Sequence, residues 1–167
     1  MDKIRFIQDK CMSAEALDAL LERWRLKDRR IVFTNGCFDL LHRGHVQLLS
    51  AAASQGNVLV VGLNDDASVR RLKGPQRPIN RLEDRALVLA SLHWVDAVVP
   101  FSQDTPMELI RRIRPDVLVK GGDYRIQDIV GAELVQGYGG TVFIYPTEAG
   151  YSTTQLAQQL LKGKAAC

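Results

Sequence analysis

The chain has 167 residues, of which 46% are hydrophobic and 25% charged, a composition typical of one globular domain with a substantial core. Its 22 basic and 19 acidic residues give a net charge of +3, which is too small to indicate nucleic-acid binding. The apolar runs, such as VLVVGL at 58–63, are too short to span a bilayer, so we expect no membrane association.

The cysteines and the N-terminus favour a cytoplasmic protein. Three cysteines without a CxxC pair suit a reducing compartment. The N-terminus MDKIRFIQDK is charged throughout and lacks the apolar stretch of a signal peptide.

The hydrophobic pattern predicts helices that alternate with strands. Ser13 is placed to cap a first helix, whose apolar face carries leucines and Trp24 at helical spacing. Apolar runs predict five buried strands at 31–36, 58–63, 96–101, 116–122 and 141–145. Further helices are predicted from Val46 to Gly56, from Asn80 to Leu92, from Thr105 to before Pro115, over 131–137, and from Ser152 to Lys162.

This alternation indicates βαβ units. The predicted fold class is α/β: a single-domain, Rossmann-like, open parallel sheet of five strands with helices on both faces. We assign residues 1–30 to an N-terminal helical extension, 31–162 to the domain and 163–167 to a tail. The polar stretch NDDASVRRLKGPQRPIN (64–80) is too irregular to be one element throughout, and we expect a long loop that is mobile until substrates bind.

Four polar clusters follow predicted strands, at 34–45, 64–85, 120–125 and 146–154. The carboxyl ends of parallel strands meet at one edge of a sheet, where ligands bind in open α/β folds. We therefore expect these clusters to form one active site.

The most informative cluster contains His42 and His45, two of only three histidines in the chain. At a helix start, positions i and i+3 lie on one face, and Gly44 between them allows a ligand to approach the backbone. Free N–H groups and two imidazoles at that place suit a phosphate chain. Two alternatives stay open: incidental polar histidines, or a zinc site with Cys37 or Asp39 as third ligand, whose spacing fits no standard zinc motif.

TNGCFD followed by HRGH resembles the HxGH signature of the nucleotidyltransferase superfamily related to class I aminoacyl-tRNA synthetases. The later blocks RLKGPQRPIN, DTPMELIRRIRPDVLVKGGDY and GYSTTQL resemble the heptose 1-phosphate adenylyltransferases of that superfamily, from about residue 31 to residue 160. The resemblance implies the nucleotidyltransferase fold. It also implies transfer of AMP from ATP to heptose 1-phosphate, giving ADP-heptose and pyrophosphate for lipopolysaccharide core or related surface-sugar biosynthesis.

The resemblance further implies roles for individual residues. The catalytic residues would be His42, His45 and Lys73. The nucleotide would be bound by Thr34, Asn35, Gly36, Cys37, Phe38, Gly44, Lys120, Gly121, Asp123, Ser152, Thr153 and Thr154. The sugar phosphate would be bound by Asp39, Asn64, Asp65, Arg81 and Arg85. Mg²⁺ would accompany ATP, with ligands that the sequence does not identify.

Partners follow from the same resemblance. In the heptose family this domain is often fused to a sugar kinase, and the sequence contains no such kinase. We therefore expect a separate heptose kinase to supply heptose 1-phosphate. A homo-oligomer, dimeric or larger, is also expected.

Several of these residues have structural explanations as well. Ser152 and Thr154 can cap the last helix, and turn chemistry accounts for Asn64 and Asp65 almost as well as a sugar contact does. Lys73, next to Gly74, suits a closing lid. A cytidylyltransferase acting on glycerol 3-phosphate or a similar alcohol phosphate is the nearest alternative function. A non-catalytic nucleotide sensor or nucleic-acid binder is the other, although basic residues are not interleaved with aromatic ones.

Overall fold

The five predicted strands all form, and they make one parallel sheet. In the computed structural model, which describes residues 2–146, the strand order is β3-β2-β1-β4-β5. The strands are β1 (Ile31–Gly36), β2 (Val58–Asn64), β3 (Ala97–Phe101), β4 (Val117–Gly121) and β5 (Thr141–Tyr145). Every neighbouring pair is parallel, and helices pack on both faces. The predicted fold class is therefore confirmed. The predicted last helix and the run Ser152 to Thr154 lie outside the described residues.

The described helices include two that the sequence pattern did not indicate, the first and the fourth. They are α1 (Lys3–Gln8), α2 (Ala14–Arg25), α3 (Arg43–Ala53), α4 (Asp66–Lys73), α5 (Leu82–Ala90), α6 (Met107–Ile113) and α7 (Ala132–Gly137), with a short 3₁₀ turn at Ile126–Asp128. Ser13 caps α2 as predicted, because its Oγ accepts from the backbone N–H of Ala16 at 3.2 Å. None of these helices is long and apolar enough to cross a membrane.

Two helices begin later than predicted. The cap position of α5 is Arg81 rather than Asn80, and the Asn80 amide instead donates to the backbone carbonyl of Asp39 at 3.0 Å. The cap position of α6 is Pro106, without a side-chain cap from Thr105. In each case the helix begins one residue later than a capping box at those positions requires.

The expectation of one long loop over 64–80 is also corrected. Its first half forms α4, which Asp65 caps by accepting from the backbone N–H of Ser68 at 2.7 Å. Gly74, at φ 100°, ends the helix in a conformation that side chains disfavour. Any moving lid is therefore shorter than the sequence suggested, and it begins at the end of a helix.

Two hydrophobic clusters lie on opposite faces of the sheet. Leu17 and Leu21 of α2 are at most 1% exposed and pack with α6 and α7 on one face, whereas α3 and α5 cover the other. The backbone of Lys10 and Met12 also bonds to Val98 of the edge strand β3, at 2.8 and 3.0 Å. Residues assigned to an N-terminal extension thus belong to the core and cover an exposed strand edge.

The strand order reverses between β1 and β4. The helix that follows β1 packs on one face of the sheet, and the helix that follows β4 packs on the other. Gly121 at the end of β4 lies against α3, since a Cβ there would come within 3.0 Å of the Leu48 side chain. The crevice at this reversal is where ligands bind in open α/β sheets.

Candidate active site

His42 and His45 lie together at the start of α3. His42 is the cap residue, and its backbone carbonyl accepts from the N–H groups of His45 and Val46 at 2.9 and 3.2 Å. The two imidazole rings stack with centroids 3.8 Å apart and an interplanar angle of 27°. Within residues 2–146, neither buried Nδ1 atom has a hydrogen-bond partner. The His42 ring thus has a buried Nδ1 left for a ligand at a helix N-terminus, whereas the His45 ring also interacts with the backbone at Leu40.

Burial favours the neutral form of both imidazoles. It lowers the pKa of His45 to about 4; the neighbouring His42 acts in the same direction, and a backbone hydrogen bond at Leu40 opposes it. Burial also lowers the pKa of His42. A neutral imidazole donates one hydrogen bond, and an arriving polyphosphate would favour its protonation. The pair can therefore respond to negative charge that develops on phosphate oxygens.

The turn between β1 and α3 fixes the position of His45. Phe38 has φ 41°, a left-handed conformation that is uncommon for a residue with a side chain. Its ring contacts His45 edge to face, with centroids 5.1 Å apart. Gly36 makes room for that ring, because a Cβ there would come within 3.0 Å of Phe38 Cε2. Strained backbone of this kind is common at functional sites.

Three segments converge on Cys37, which follows β1. Burial raises the pKa of its thiol, while the charges of Lys73 and Arg85 lower it. The charge of Lys73, at the end of α4, is therefore felt at the crevice. A raised thiol pKa disfavours the thiolate, so Cys37 is suited to packing rather than to nucleophilic attack.

Lys120 and Asn35 meet across the β1–β4 reversal. The Lys120 ammonium donates to Asn35 Oδ1 at 2.7 Å. Burial lowers the pKa of Lys120 to about 8, against a small opposing effect of Cys37. Thr34, by contrast, is fully buried in the sheet. Thr34 therefore presents no surface to a nucleotide in this structure.

The structure gives Arg85, predicted to bind the sugar, a different set of contacts. Its guanidinium is fully buried and donates to the backbone carbonyls of Cys37, Asn64 and Asn80 at 2.6, 2.9 and 3.0 Å. It also pairs with Asp66 Oδ1 at 2.7 Å. Arg85 thus joins the ends of β1 and β2 to α4 and to the segment before α5. These contacts favour a role in positioning the site over direct contact with sugar.

Asp39 has a similar anchoring role. It is 3% exposed, and its Oδ1 accepts from the backbone N–H groups of Ile79 and Asn80 at 2.8 and 3.0 Å. Its Oδ2 lies 2.6 Å from Nε of Arg77. The second half of the predicted loop is therefore fastened to the turn after β1. No local spacing in the sequence signals this pairing, because its partners are about forty residues apart.

The other residues predicted to bind the sugar are placed as follows. Asn64 is 3% exposed and donates to Ser68 Oγ at 2.9 Å, and Asp65 caps α4, so turn chemistry accounts for both. Arg81 is exposed at the start of α5. Asp123, predicted to contact the nucleotide, is exposed just after β4.

A cavity of about 940 Å³ lies beside the end of β3, away from the histidines. Phe101 and Ser102 line it, together with Asp65, Glu83 and Glu108. This carboxylate-rich lining is unsuited to a polyphosphate, because like charges repel. The chemistry expected of the HRGH segment thus belongs to the β1–β4 crevice rather than to this cavity.

The chain resembles known proteins over most of its length. The family model described as cytidylyltransferase-like matches residues 33–159. The bifunctional protein HldE of Caulobacter vibrioides is 52% identical over 151 residues, which cover 90% of this chain and 31% of the relative. HldE of Koribacter versatilis is 52% identical over 158 residues, covering 95% of this chain and 32% of the relative. The chain thus spans about a third of the length of these relatives.

A solved structure shares the fold. The crystal structure of the lipopolysaccharide core biosynthesis protein from Thermoplasma volcanium superimposes with a TM-score of 0.57 at 28% identity. The match covers 72% of this chain and 97% of that protein.

Proposed function

Because the chain belongs to the cytidylyltransferase-like family, we propose that it transfers AMP from ATP to heptose 1-phosphate, releasing pyrophosphate and ADP-heptose. The similarity to the HldE proteins over 90% or more of the chain supports this choice of substrates. Lipopolysaccharide core or related surface-sugar biosynthesis is the proposed setting, and the Thermoplasma volcanium protein carries that description.

One observation of the site carries the proposal. Two stacked imidazoles lie at the N-terminus of α3, and the segment that leads into this helix carries Cys37, which interacts electrostatically with both Lys73 and Lys120. Helix N-termini and ammonium groups bind phosphate oxygens, and phosphoryl transfer is catalysed mainly by such positioning and electrostatic stabilisation. The arrangement suits a triphosphate that reacts at one of its phosphorus atoms.

The proposed reaction is a single in-line displacement. A phosphate oxygen of heptose 1-phosphate attacks the α-phosphorus of ATP, and the bond from that phosphorus to the β-phosphate oxygen breaks. The electron pair leaves with pyrophosphate. The attacking phosphate is already ionised at neutral pH, so no general base is required.

Each residue in the crevice then has an electrostatic task. His42 and His45 donate to phosphate oxygens whose negative charge increases as the bond breaks, and Lys73 approaches the same phosphates from the end of α4. Cys37 forms no covalent intermediate in this scheme, in keeping with its raised pKa.

Mg²⁺ is proposed as the companion of ATP. Within residues 2–146, no group of three or more His, Cys, Asp or Glu side chains forms a metal-binding cluster. The metal would accordingly be held largely by phosphate oxygens, and its contribution would be to neutralise their charge.

The proposed cellular context follows from the substrates. A heptose kinase activity must supply heptose 1-phosphate, and the HldE relatives are named as bifunctional. We further propose that the reaction takes place in the cytoplasm, where ATP is available, and that the protein forms a homo-oligomer.

The test is pyrophosphate release with a panel of nucleotides and phosphates. We expect turnover with ATP and heptose 1-phosphate, and little with CTP or with glycerol 3-phosphate. The reverse preference would favour the cytidylyltransferase alternative. Binding of oligonucleotides at physiological salt without turnover of any pair would instead indicate a nucleic-acid binder. His45→Ala serves as the matched control for background hydrolysis.

A further inference from the structure

We propose that Lys120, held in place by Asn35, is a further catalytic residue that binds a phosphoryl oxygen of the substrates at the floor of the β1–β4 crevice. The proposal rests on the proposed function, because it requires that a phosphoryl group enters this crevice. The site would then have two ammonium groups. Lys120 is on strand β4, and the exposed Lys73 is at the end of α4.

The sheet register places the two side chains side by side. Val32 lies opposite Val117 and Phe33 opposite Leu118, so that two residues further along each strand Asn35 lies opposite Lys120. Neighbours in register point to the same face of a sheet. The 2.7 Å hydrogen bond between them spans the gap between β1 and β4 at the carboxyl edge. Lys120 is therefore fixed where a bound ligand would lie.

The contacts that Lys120 makes within residues 2–146 are with neutral groups. Among residues 2–146, no carboxylate forms an ion pair with its ammonium, and the neutral Asn35 amide is the hydrogen-bond partner. Burial of a cation without an anion is unfavourable, and it lowers the pKa of Lys120 to about 8. An anionic ligand would remove that penalty. A residue that served only to join the two strands would not need a charge.

Other titratable groups adjoin Lys120. Cys37 after β1 raises the pKa of Lys120 slightly, and Lys73 acts in turn on Cys37. Asp123 follows β4, and Tyr145 ends β5. Cys37 is the neighbour that acts on the pKa of Lys120, so a Cys37→Ser variant separates its contribution.

The proposal predicts proton uptake on binding. The pKa of Lys120 is about 8, and a phosphoryl oxygen in contact with the ammonium raises it. Below pH 8, Lys120 is charged in both states, and ligand affinity does not depend on its titration. Above pH 8, binding must add a proton, so affinity falls as pH rises until the pKa of the bound state is reached.

The experiment is calorimetry of Mg-ATP binding at pH 8.5 in two buffers of different ionisation enthalpy. We expect the wild-type protein to take up about three quarters of a proton per ATP. Lys120→Met should bind ATP at least tenfold more weakly and take up almost none. Lys120→Arg should retain binding without proton uptake, because arginine does not titrate in this range. Lys27→Met, at an exposed lysine far along the chain from the site, should match the wild type.

Separate titrations with ATP and with heptose 1-phosphate show which phosphate meets Lys120. Proton uptake with either one supports the proposal and assigns the phosphoryl group to that substrate. Equal affinity and equal proton uptake in wild type and Lys120→Met, for both ligands, would overturn it. If Lys120→Met does not fold, Lys120→Arg decides, since undiminished proton uptake in that variant also overturns the proposal. The proposed function fails independently, by an absence of pyrophosphate release.

Discussion

Replacing Arg85 by methionine removes the buried guanidinium that holds the crevice segments together. Three backbone carbonyls and the Asp66 carboxylate lose their donor. Removing one partner of a buried ion pair costs about 3–5 kcal/mol, and each buried carbonyl left unsatisfied adds to that cost. Methionine replaces much of the apolar volume, and Asp66 is 28% exposed and can regain water. We therefore expect a loss of about 3–5 kcal/mol in the free energy of unfolding.

Urea denaturation measures this loss, and Arg71→Met is the matched control. Arg71 also makes an ion pair at 2.7 Å, with Asp104, but the two side chains are 48% and 68% exposed. That variant should lose less than about 1 kcal/mol. For a chain of this length, the loss expected for Arg85→Met lowers Tm by about 6–20 °C. If both variants unfold at the same urea concentration, the buried hydrogen bonds of Arg85 do not hold the crevice segments together.

Four further predictions concern the site and the cap of α2. His42→Ala and His45→Ala should each lower turnover about a hundredfold with unchanged circular dichroism, and near-full activity would exclude that histidine from phosphate binding. Because the pKa of His45 is about 4 when folded and about 6.5 when unfolded, the unfolded chain binds more protons between these values. Stability should thus decrease as pH falls from 6.5 towards 4, and His45→Ala should show a flatter dependence in urea titrations. Ser13→Ala should cost about 1 kcal/mol by the same assay, and an unchanged midpoint would contradict its capping role. Lys73→Ala should reduce kcat/KM far more than it reduces ATP affinity. In the wild type, trypsin should cleave near Lys73 more slowly when Mg-ATP is present. Cleavage at the same rate with and without Mg-ATP would refute a lid that closes from the end of α4.

The strands and the histidine pair could be predicted because their signals are local. A buried strand is a short apolar run, and two histidines three residues apart must share a helix face. The sheet order is not local, because β1 lies beside β4 although the paired residues Val32 and Val117 are 85 positions apart in the chain. The pairing of Asn35 with Lys120 depends on that order, so the sequence indicated each residue but not their contact.

Two of the errors, at Asn80 and Arg85, have a common physical cause in long-range contacts. Asn80 has a side chain that often caps helices, but its amide donates to the backbone carbonyl of Asp39 instead. Arg85 looks like a ligand-binding cation on a helix, yet backbone carbonyls from three separate segments surround it. In the 64–80 stretch, glycine and prolines in the second half obscured the short helix in the first. Asp39 is 41 residues from Asn80, and Cys37 is 48 residues from Arg85. Sequence periodicity carries no information over such separations.

The most direct test of the account is a crystal structure with a non-hydrolysable ATP analogue and heptose 1-phosphate. We predict that the triphosphate lies over the N-terminus of α3, within hydrogen-bonding distance of His42 or His45, with a phosphoryl oxygen at Lys120. A nucleotide bound instead in the cavity beside Phe101 and Ser102 would contradict the assignment of the active site to the β1–β4 crevice.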